Sequence, residues 1–231
     1  MDMTRFPRPL RAVIFDMDGT LLDTERLQHI AMTAAAEGLG YRLGDDVFDA
    51  MVGVHRGRNR EMLLLHFGAS FPVDAFYAAA DARFEEIARD GIPLRPGAVG
   101  LLDQLRGAGI PCAVATSTSS PFAETFLRTA GLIDYFETVV TRSDVANPKP
   151  AADPYLLAAA RLGVDPRDCL AVEDSPNGVR SAAAAGCATI MVPDLLPATD
   201  ATRALTIATL ASLDDIGAVL RDAAFPIDDA A

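Results

Sequence analysis

Ala12-Val13-Ile14-Phe15-Asp16-Met17-Asp18-Gly19-Thr20 passes from four apolar residues into two acids and a glycine. Such a run reads as a buried strand that empties into a loop. Side chains alternate along extended chain, so Asp16 and Asp18 point the same way. Carboxylates held that close repel, and they stay ionised together only with a cation nearby. The pair therefore suggests a divalent metal site with one carboxylate free to act as a nucleophile. The competing reading is an acidic turn at a strand end.

Similar apolar runs recur along the chain. Residues 112–116, 138–141, 169–172, 189–192 and 205–208 read as strands, with helical segments rich in Ala and Leu between them. Several segments end at a glycine, at Gly38, Gly109, Gly131, Gly163 and Gly186, where it relieves the left-handed backbone just past a helix. This alternation predicts an α/β fold, a Rossmann-like parallel sheet with helices on both faces. Ligands of such sheets bind beyond the carboxyl ends of the strands.

One interval breaks the alternation. Residues 24–37, 45–51, 58–67 and 73–90 all read as helices, with no good strand among them. Ile30, Ala34, Met62, Leu63, Leu65, Phe76, Ala80, Phe84 and Ile87 fall at roughly helical spacing and are expected to be core. The organisation expected is a core of residues 1–22 and 93–231, interrupted by an inserted α-helical cap over residues 23–92. The hinges fall near Leu22-Asp23 and Ile92-Pro93.

Composition narrows the function. Of 231 residues, 50% are hydrophobic and 23% charged, which suits a real core and argues against global disorder. The net charge of −12, with no Lys/Arg block, argues against nucleic-acid or anionic-membrane binding. It also requires any anion site to be locally positive. No apolar run reaches the roughly 18 residues of a membrane span, and Met1-Asp2-Met3-Thr4-Arg5 lacks a signal-peptide core. Cys112, Cys169 and Cys187 sit singly in or beside apolar runs, which suggests reduced core thiols and a cytoplasmic protein. A monomer is the default expectation, and residues 226–231 are expected to fray.

Four groups collect at the carboxyl ends of the strands. Asp16 and Asp18 follow the first, Thr116-Ser117-Thr118 the second, Asn147-Pro148-Lys149-Pro150 the third, and Glu173-Asp174-Ser175-Pro176-Asn177-Gly178 the fourth. Parallel strands place them on one edge. The carboxylates can bind Mg²⁺, while the lysine, a hydroxyl and backbone N–H groups can hold a phosphate. Singly, each has a plainer reading: Thr116 and Ser117 as helix caps, Glu173-Asp174-Ser175 as a helix start, Lys149 as a turn residue. Their coincidence on one edge weighs against those readings.

Phe15-Asp16-Met17-Asp18-Gly19-Thr20-Leu21-Leu22-Asp23-Thr24-Glu25, Val114-Ala115-Thr116-Ser117, Lys149-Pro150 and Glu173-Asp174-Ser175-Pro176-Asn177-Gly178 match, in order and spacing, the four motifs of the haloacid dehalogenase (HAD) superfamily. The chain resembles that family over essentially its whole length. Its helical insertion and Glu-Asp pair look like the subgroup that holds β-phosphoglucomutase and small-metabolite phosphatases. Within it, Asp23-Thr24-Glu25-Arg26-Leu27, Gly109-Ile110-Pro111, residues 113–117 and Met191-Val192-Pro193-Asp194 look most like pseudouridine 5′-phosphatase-type proteins. The resemblance implies a Mg²⁺-dependent phosphomonoester hydrolase acting on a small phosphorylated metabolite. Asp16 would attack phosphorus and form an aspartyl-phosphate, and Asp18 would act as acid and then base. Mg²⁺ would sit on Asp16, the Asp18 carbonyl and Asp174, with Glu173 as a further or water-mediated ligand. Lys149, Thr116 and the Ser117 N–H would hold the phosphoryl oxygens.

Asp18 counts against carbon–halogen cleavage, which needs neither an acid for the departing halide nor Mg²⁺. The alternative is a β-phosphoglucomutase-like mutase. Of three mutase marks, Gln28 stands where a histidine is expected and Ser119 where a lysine is, while Arg56 matches. A catalytically idle binding protein is disfavoured because every reactive position is filled. Gln28, His55 and Arg56 are the cap residues expected to touch the non-reacting part of the substrate, and His29 reads as helix packing.

Overall fold

Six short strands form one sheet in the computed structural model, which describes residues 6–7, 9–52, 54, 56–89 and 91–222. His55 and the terminal residues 1–5 and 226–231 lie outside the described residues. The strands are β1 (Ala12–Phe15), β2 (Cys112–Ala115), β3 (Thr138–Val140), β4 (Cys169–Glu173), β5 (Ala188–Met191) and β6 (Ala208–Thr209). Their order is β3-β2-β1-β4-β5-β6, and every pairing is parallel. The chain builds outward from β1 through β2 to β3, then crosses back to place β4, β5 and β6 on the other side of β1. In parallel sheets such a reversal is where ligands bind. All positions of β1, β2 and β4 are buried, as unbroken apolar runs in a sheet covered on both faces require.

The chain divides into two compact units, Asp23–Pro93 and the remainder. The first holds four helices, α1 (Thr24–Gly38), α2 (Asp45–Met51), α3 (Arg56–Phe67) and α4 (Val73–Arg89). Its core joins Ala35 and Ala36 of α1 to Val47, Phe48, Leu63, Phe71, Phe76, Tyr77 and Ala80. Five expected core residues lie outside it: Ala34, Phe84 and Ile87 are half-buried, Ile30 is 44% exposed and Leu65 82%. The cause is helical phase. α1 buries Leu27, Ala31 and Ala35, four apart, and α3 buries Asn59 and Leu63. Leu65, two residues past Leu63, points about 200° round the helix from it. The polar Asn59 takes a buried position because its Nδ2 donates to Met51 O and Val54 O, both at 3.0 Å.

The sheet unit adds α5 (Ala98–Gly107), α6 (Phe122–Thr129), α7 (Asp153–Leu162), α8 (Pro176–Ala185), α9 (Asp200–Leu205) and α10 (Leu213–Asp222). Ala12, Ile14, Ala113, Ala115, Cys169 and Ala171 pack against Tyr155, Ala158 and Ala159 of α7 and Ala182 and Ala185 of α8. The alternate strand positions, Val13, Phe15, Val114, Leu170 and Val172, are equally buried, so both faces are covered. Two sequence expectations shift here. Leu205 is the last residue of α9, whose start is fixed by a Thr199–Thr202 capping box, and the strand is only Ala208–Thr209. Gly38 ends α1 in helical conformation, and the left-handed residue is Gly40, at φ 81°. No helix among the described residues is long and apolar enough to cross a membrane.

Candidate active site

The loop after β1 continues the strand for one residue: Asp16 N donates to Val172 O at 2.9 Å. Met17 then points into the core, wholly buried, and its carbonyl accepts from Leu21 N and Leu22 N at 2.9 and 3.0 Å. Alternation therefore turns Asp16 and Asp18 to the other side. The turn closes through Gly19, at φ 81°, where a Cβ would lie 2.5 Å from Asp174 Oδ2. Backbone angle and space both demand glycine there. Asp18 Oδ2 accepts from Thr116 Oγ1 at 3.1 Å and from Thr118 Oγ1 at 2.7 Å, both from the loop after β2. Ser117, between them, is exposed.

Lys149 comes from the loop between β3 and α7, with its side chain 4% exposed. Its Nζ lies 2.5 Å from Asp16 Oδ1 and 2.6 Å from Glu173 Oε1. The Tyr155 hydroxyl of α7 also donates to Glu173 Oε1, at 2.7 Å. Glu173 Oε2 accepts from Asp174 N at 3.2 Å, Ser175 N at 3.4 Å and Ser175 Oγ at 3.2 Å. Ser175 Oγ in turn accepts from Gly178 N at 3.1 Å and so caps α8. Asp174 Oδ1 accepts from Thr20 Oγ1 at 3.4 Å.

Charge is unbalanced in this pocket of groups. Asp16, Glu173 and Asp174 are buried with carboxylate oxygens within 4.8 Å of one another, facing the single ammonium of Lys149. Burial pushes the Asp16 carboxyl up to about 8; Lys149 pulls it back, and Glu173 and Asp18 raise it further. Burial opposes the charge on Lys149, but Asp16 and Glu173 outweigh it and hold the ammonium above its ordinary range. A set of buried oxygens with excess negative charge suits a hard divalent cation. The Asp18 carboxylate faces two threonine hydroxyls.

A sequence model of the haloacid dehalogenase-like hydrolases matches residues 10–186. The chain belongs to that family. It is 39% identical to hexitol phosphatase A of Escherichia coli, over 79% of this chain and 82% of that protein. It is 36% identical to a Drosophila melanogaster protein named as a probable pseudouridine-5′-phosphatase, over 81% and 83%. A crystal structure from Thermotoga maritima, described as a candidate β-phosphoglucomutase, superposes with a TM-score of 0.80 at 30% identity, covering 92% of this chain and 99% of that one. Relatives of the first two kinds place this HAD-like hydrolase among phosphatases.

The helical unit of this HAD-like hydrolase carries the remaining candidate residues. Gln28 is exposed on α1. His29 stacks on Phe48, ring centroids 4.3 Å apart, with Nε2 3.2 Å from Asp45 Oδ1, so it packs α1 against α2. Arg56, the first residue of α3, donates to Asp81 Oδ2 at 2.7 Å and lies 4.0 Å over the Tyr77 ring.

The sequence reading places Thr118 with Thr116 and Ser117 after the second strand but gives it no role, and two further contributions escape it. Tyr155 lies in an apolar helix and looks like core until its hydroxyl partner is known. Arg95 Nη1 pairs with Asp194 Oδ1 at 2.7 Å, while Arg95 N donates to Leu21 O at 2.9 Å. Asp194 Oδ2 lies 3.4 Å from where a Gly19 Cβ would be, so this ion pair backs the Asp16–Asp18 loop.

Proposed function

We propose that the chain is a Mg²⁺-dependent phosphomonoester hydrolase for small phosphorylated metabolites, sugar phosphates foremost, working through an aspartyl-phosphate on Asp16. The observation that carries this is the buried contact of Lys149 with Asp16 and Glu173, beside an Asp18 held by two hydroxyls. An isolated acidic turn needs neither a buried ammonium nor a second carboxylate to anchor it. The relatedness to hexitol phosphatase A supports a small sugar-like ester.

Lys149 engages one oxygen of Asp16 and leaves the other to attack phosphorus. As that bond forms, the ester P–O bond breaks and Asp18 protonates the departing alkoxide. Asp18 then takes a proton from water, whose oxygen attacks the same phosphorus and releases Asp16 and inorganic phosphate. Thr116, the Ser117 N–H and Lys149 hold the phosphoryl oxygens throughout. Asp16, the Asp18 carbonyl and Asp174 would hold Mg²⁺, with Glu173 as a further or water-mediated ligand. When bound, Mg²⁺ supplies the positive charge that lets an anionic carboxylate approach an anionic phosphate.

The helical unit is proposed as the cap that selects the substrate, with Gln28, His55 and Arg56 as its contacts. Arg56 also bears on the mutase alternative. It is the one mutase mark present; Gln28 and Ser119 stand where a mutase has a histidine and a lysine, which favours the hydrolase. The three free buried thiols support a cytoplasmic setting. A monomer acting on a small molecule, without nucleic acid or membrane, completes the reading.

Inorganic phosphate release from a panel of sugar phosphates, nucleoside monophosphates and pseudouridine 5′-phosphate tests this, with Mg²⁺ and with EDTA. Release is expected only with Mg²⁺, and Asp16→Asn is expected to lower it by at least about 10³-fold. Unchanged turnover in Asp16→Asn would sink the mechanism. Conversion of β-glucose 1-phosphate without phosphate release would favour the mutase.

A further inference from the structure

Two acceptors compete for one proton at Thr116. A threonine hydroxyl has a single proton to donate. Thr116 Oγ1 accepts from Thr118 N at 3.0 Å and donates its proton to Asp18 Oδ2 at 3.1 Å. Phosphoryl oxygens are acceptors, so a phosphoryl group held by Thr116 takes that same proton. Asp18 then loses the Thr116 donor at the moment its carboxyl must stay aligned with the leaving oxygen. The Thr118 donor remains. Thr118 Oγ1 reaches the same Oδ2 at 2.7 Å, the shorter of the two bonds. Thr118 is itself held: its carbonyl accepts from Arg142 N at 3.0 Å, tying the loop after β2 to the loop after β3.

We propose that Thr118 is a positioning residue for Asp18, holding Oδ2 in place after Thr116 has turned its proton to the phosphate. The inference rests on the hydrolytic reading of Asp16 and Asp18 above. Thr118 makes and breaks no bond. Its hydroxyl fixes where the acid and base of the reaction stands, and a misplacement of about 1 Å there is worth as much as 10²-fold in rate.

The test compares Thr118→Val, Thr118→Ser and Thr116→Val, with inorganic phosphate as competitive inhibitor of ester hydrolysis in Mg²⁺. Valine keeps the shape of threonine and removes the donor. Thr118 is half-buried, so a thermal melt of each variant is run first to check that it folds. Thr118→Val is expected to lose about 10- to 100-fold in kcat, the scale of a misplaced acid–base group, with KM and phosphate inhibition within about twofold of wild type. Thr118→Ser restores kcat to within about threefold, since the donor returns. Thr116→Val instead raises KM and weakens phosphate inhibition. A wild-type kcat in Thr118→Val overturns the proposal. So does a raised KM at unchanged kcat, which would make Thr118 a substrate contact. In either case Asp16→Asn still abolishes turnover, so the hydrolase reading stands. A wild-type chain that releases no phosphate from any ester overturns both. Should Thr118→Val fail to fold, Thr118→Ala against Thr118→Ser reads the same split.

Discussion

Glu173 shows how a wholly buried carboxylate is kept in place. Its Oε1 takes donors from Lys149 and Tyr155, and its Oε2 takes the backbone and hydroxyl of Ser175 together with Asp174 N. Such satisfaction is what allows a charged group to sit in the core, because an unpaired one costs several kcal/mol. Tyr155→Phe keeps the ring and deletes one donor. It is expected to lower stability by about 1.5–3 kcal/mol, the range for a hydrogen bond to a charged group, read from the urea midpoint. Phosphatase kcat should fall a few-fold with KM unchanged, since Glu173 Oε1 then loses the donor it shares with Lys149. An unchanged midpoint would mean the bond adds nothing. At this scale the chain is partly transparent. Asp16, Asp18, Lys149, Glu173 and Asp174 follow apolar runs or sit between prolines, and that position in the sequence is enough to mark them. Tyr155 carries no such mark: in Asp153–Leu162 it is one more large residue among alanines and leucines. Only the fold reveals that its hydroxyl ends on Glu173.

Elements carry their own constraints, and α8 is the clearest. Ser175 caps it, Pro176 opens it, and Gly178 stands in its first turn. Gly178 has no left-handed angle to explain it, and alanine is the better helix former by about 1 kcal/mol. Space decides otherwise: a Cβ on Gly178 would fall on the Glu173 carboxylate. Gly178→Ala is therefore expected to destabilise by about 1–3 kcal/mol, as overpacked cores do. Activity should drop with it, because the carboxylate that must give way is the one holding Lys149. Thermal unfolding and kcat on the same preparation read both effects; a more stable, fully active variant would show that propensity wins. The glycine is visible in the sequence as part of a motif, but its reason is a contact between β4 and α8. The misplaced strand at 205–208 has the same origin. Leu205 and Ile207 are apolar in either state, and what settles Leu205 is the capping box at Thr199 and Thr202, which starts a helix just upstream. Local apolarity finds elements well and their ends poorly.

The whole molecule places three thiols in or beside one sheet. Strand–helix alternation implies parallel strands but leaves their order open, because order is set by pairings such as Ala12 with Cys169, far apart in sequence. Once that order is known, Cys112 in β2, Cys169 at the start of β4 and Cys187 just before β5 all prove to be buried. Burial pushes each thiol up to about 12, from an ordinary 9.0; Glu137 adds to this at Cys112, Asp168 at Cys169, and Cys169 at Cys187. Their folded pKa values thus lie above the unfolded ones, so the folded chain holds these protons more tightly. Stability from this source is complete below about pH 9 and is lost as pH rises from about 9 toward about 12. Tyr155 and Lys149, both raised, act in the same direction. The urea midpoint is therefore expected to decline progressively above about pH 9. A thiol-specific disulfide reagent at pH 8 should find no fast-reacting cysteine in the native chain and three after denaturation. One thiol that reacts at once in the native protein would contradict the burial of the sheet, and a midpoint that rises between pH 9 and 11 would contradict the sign.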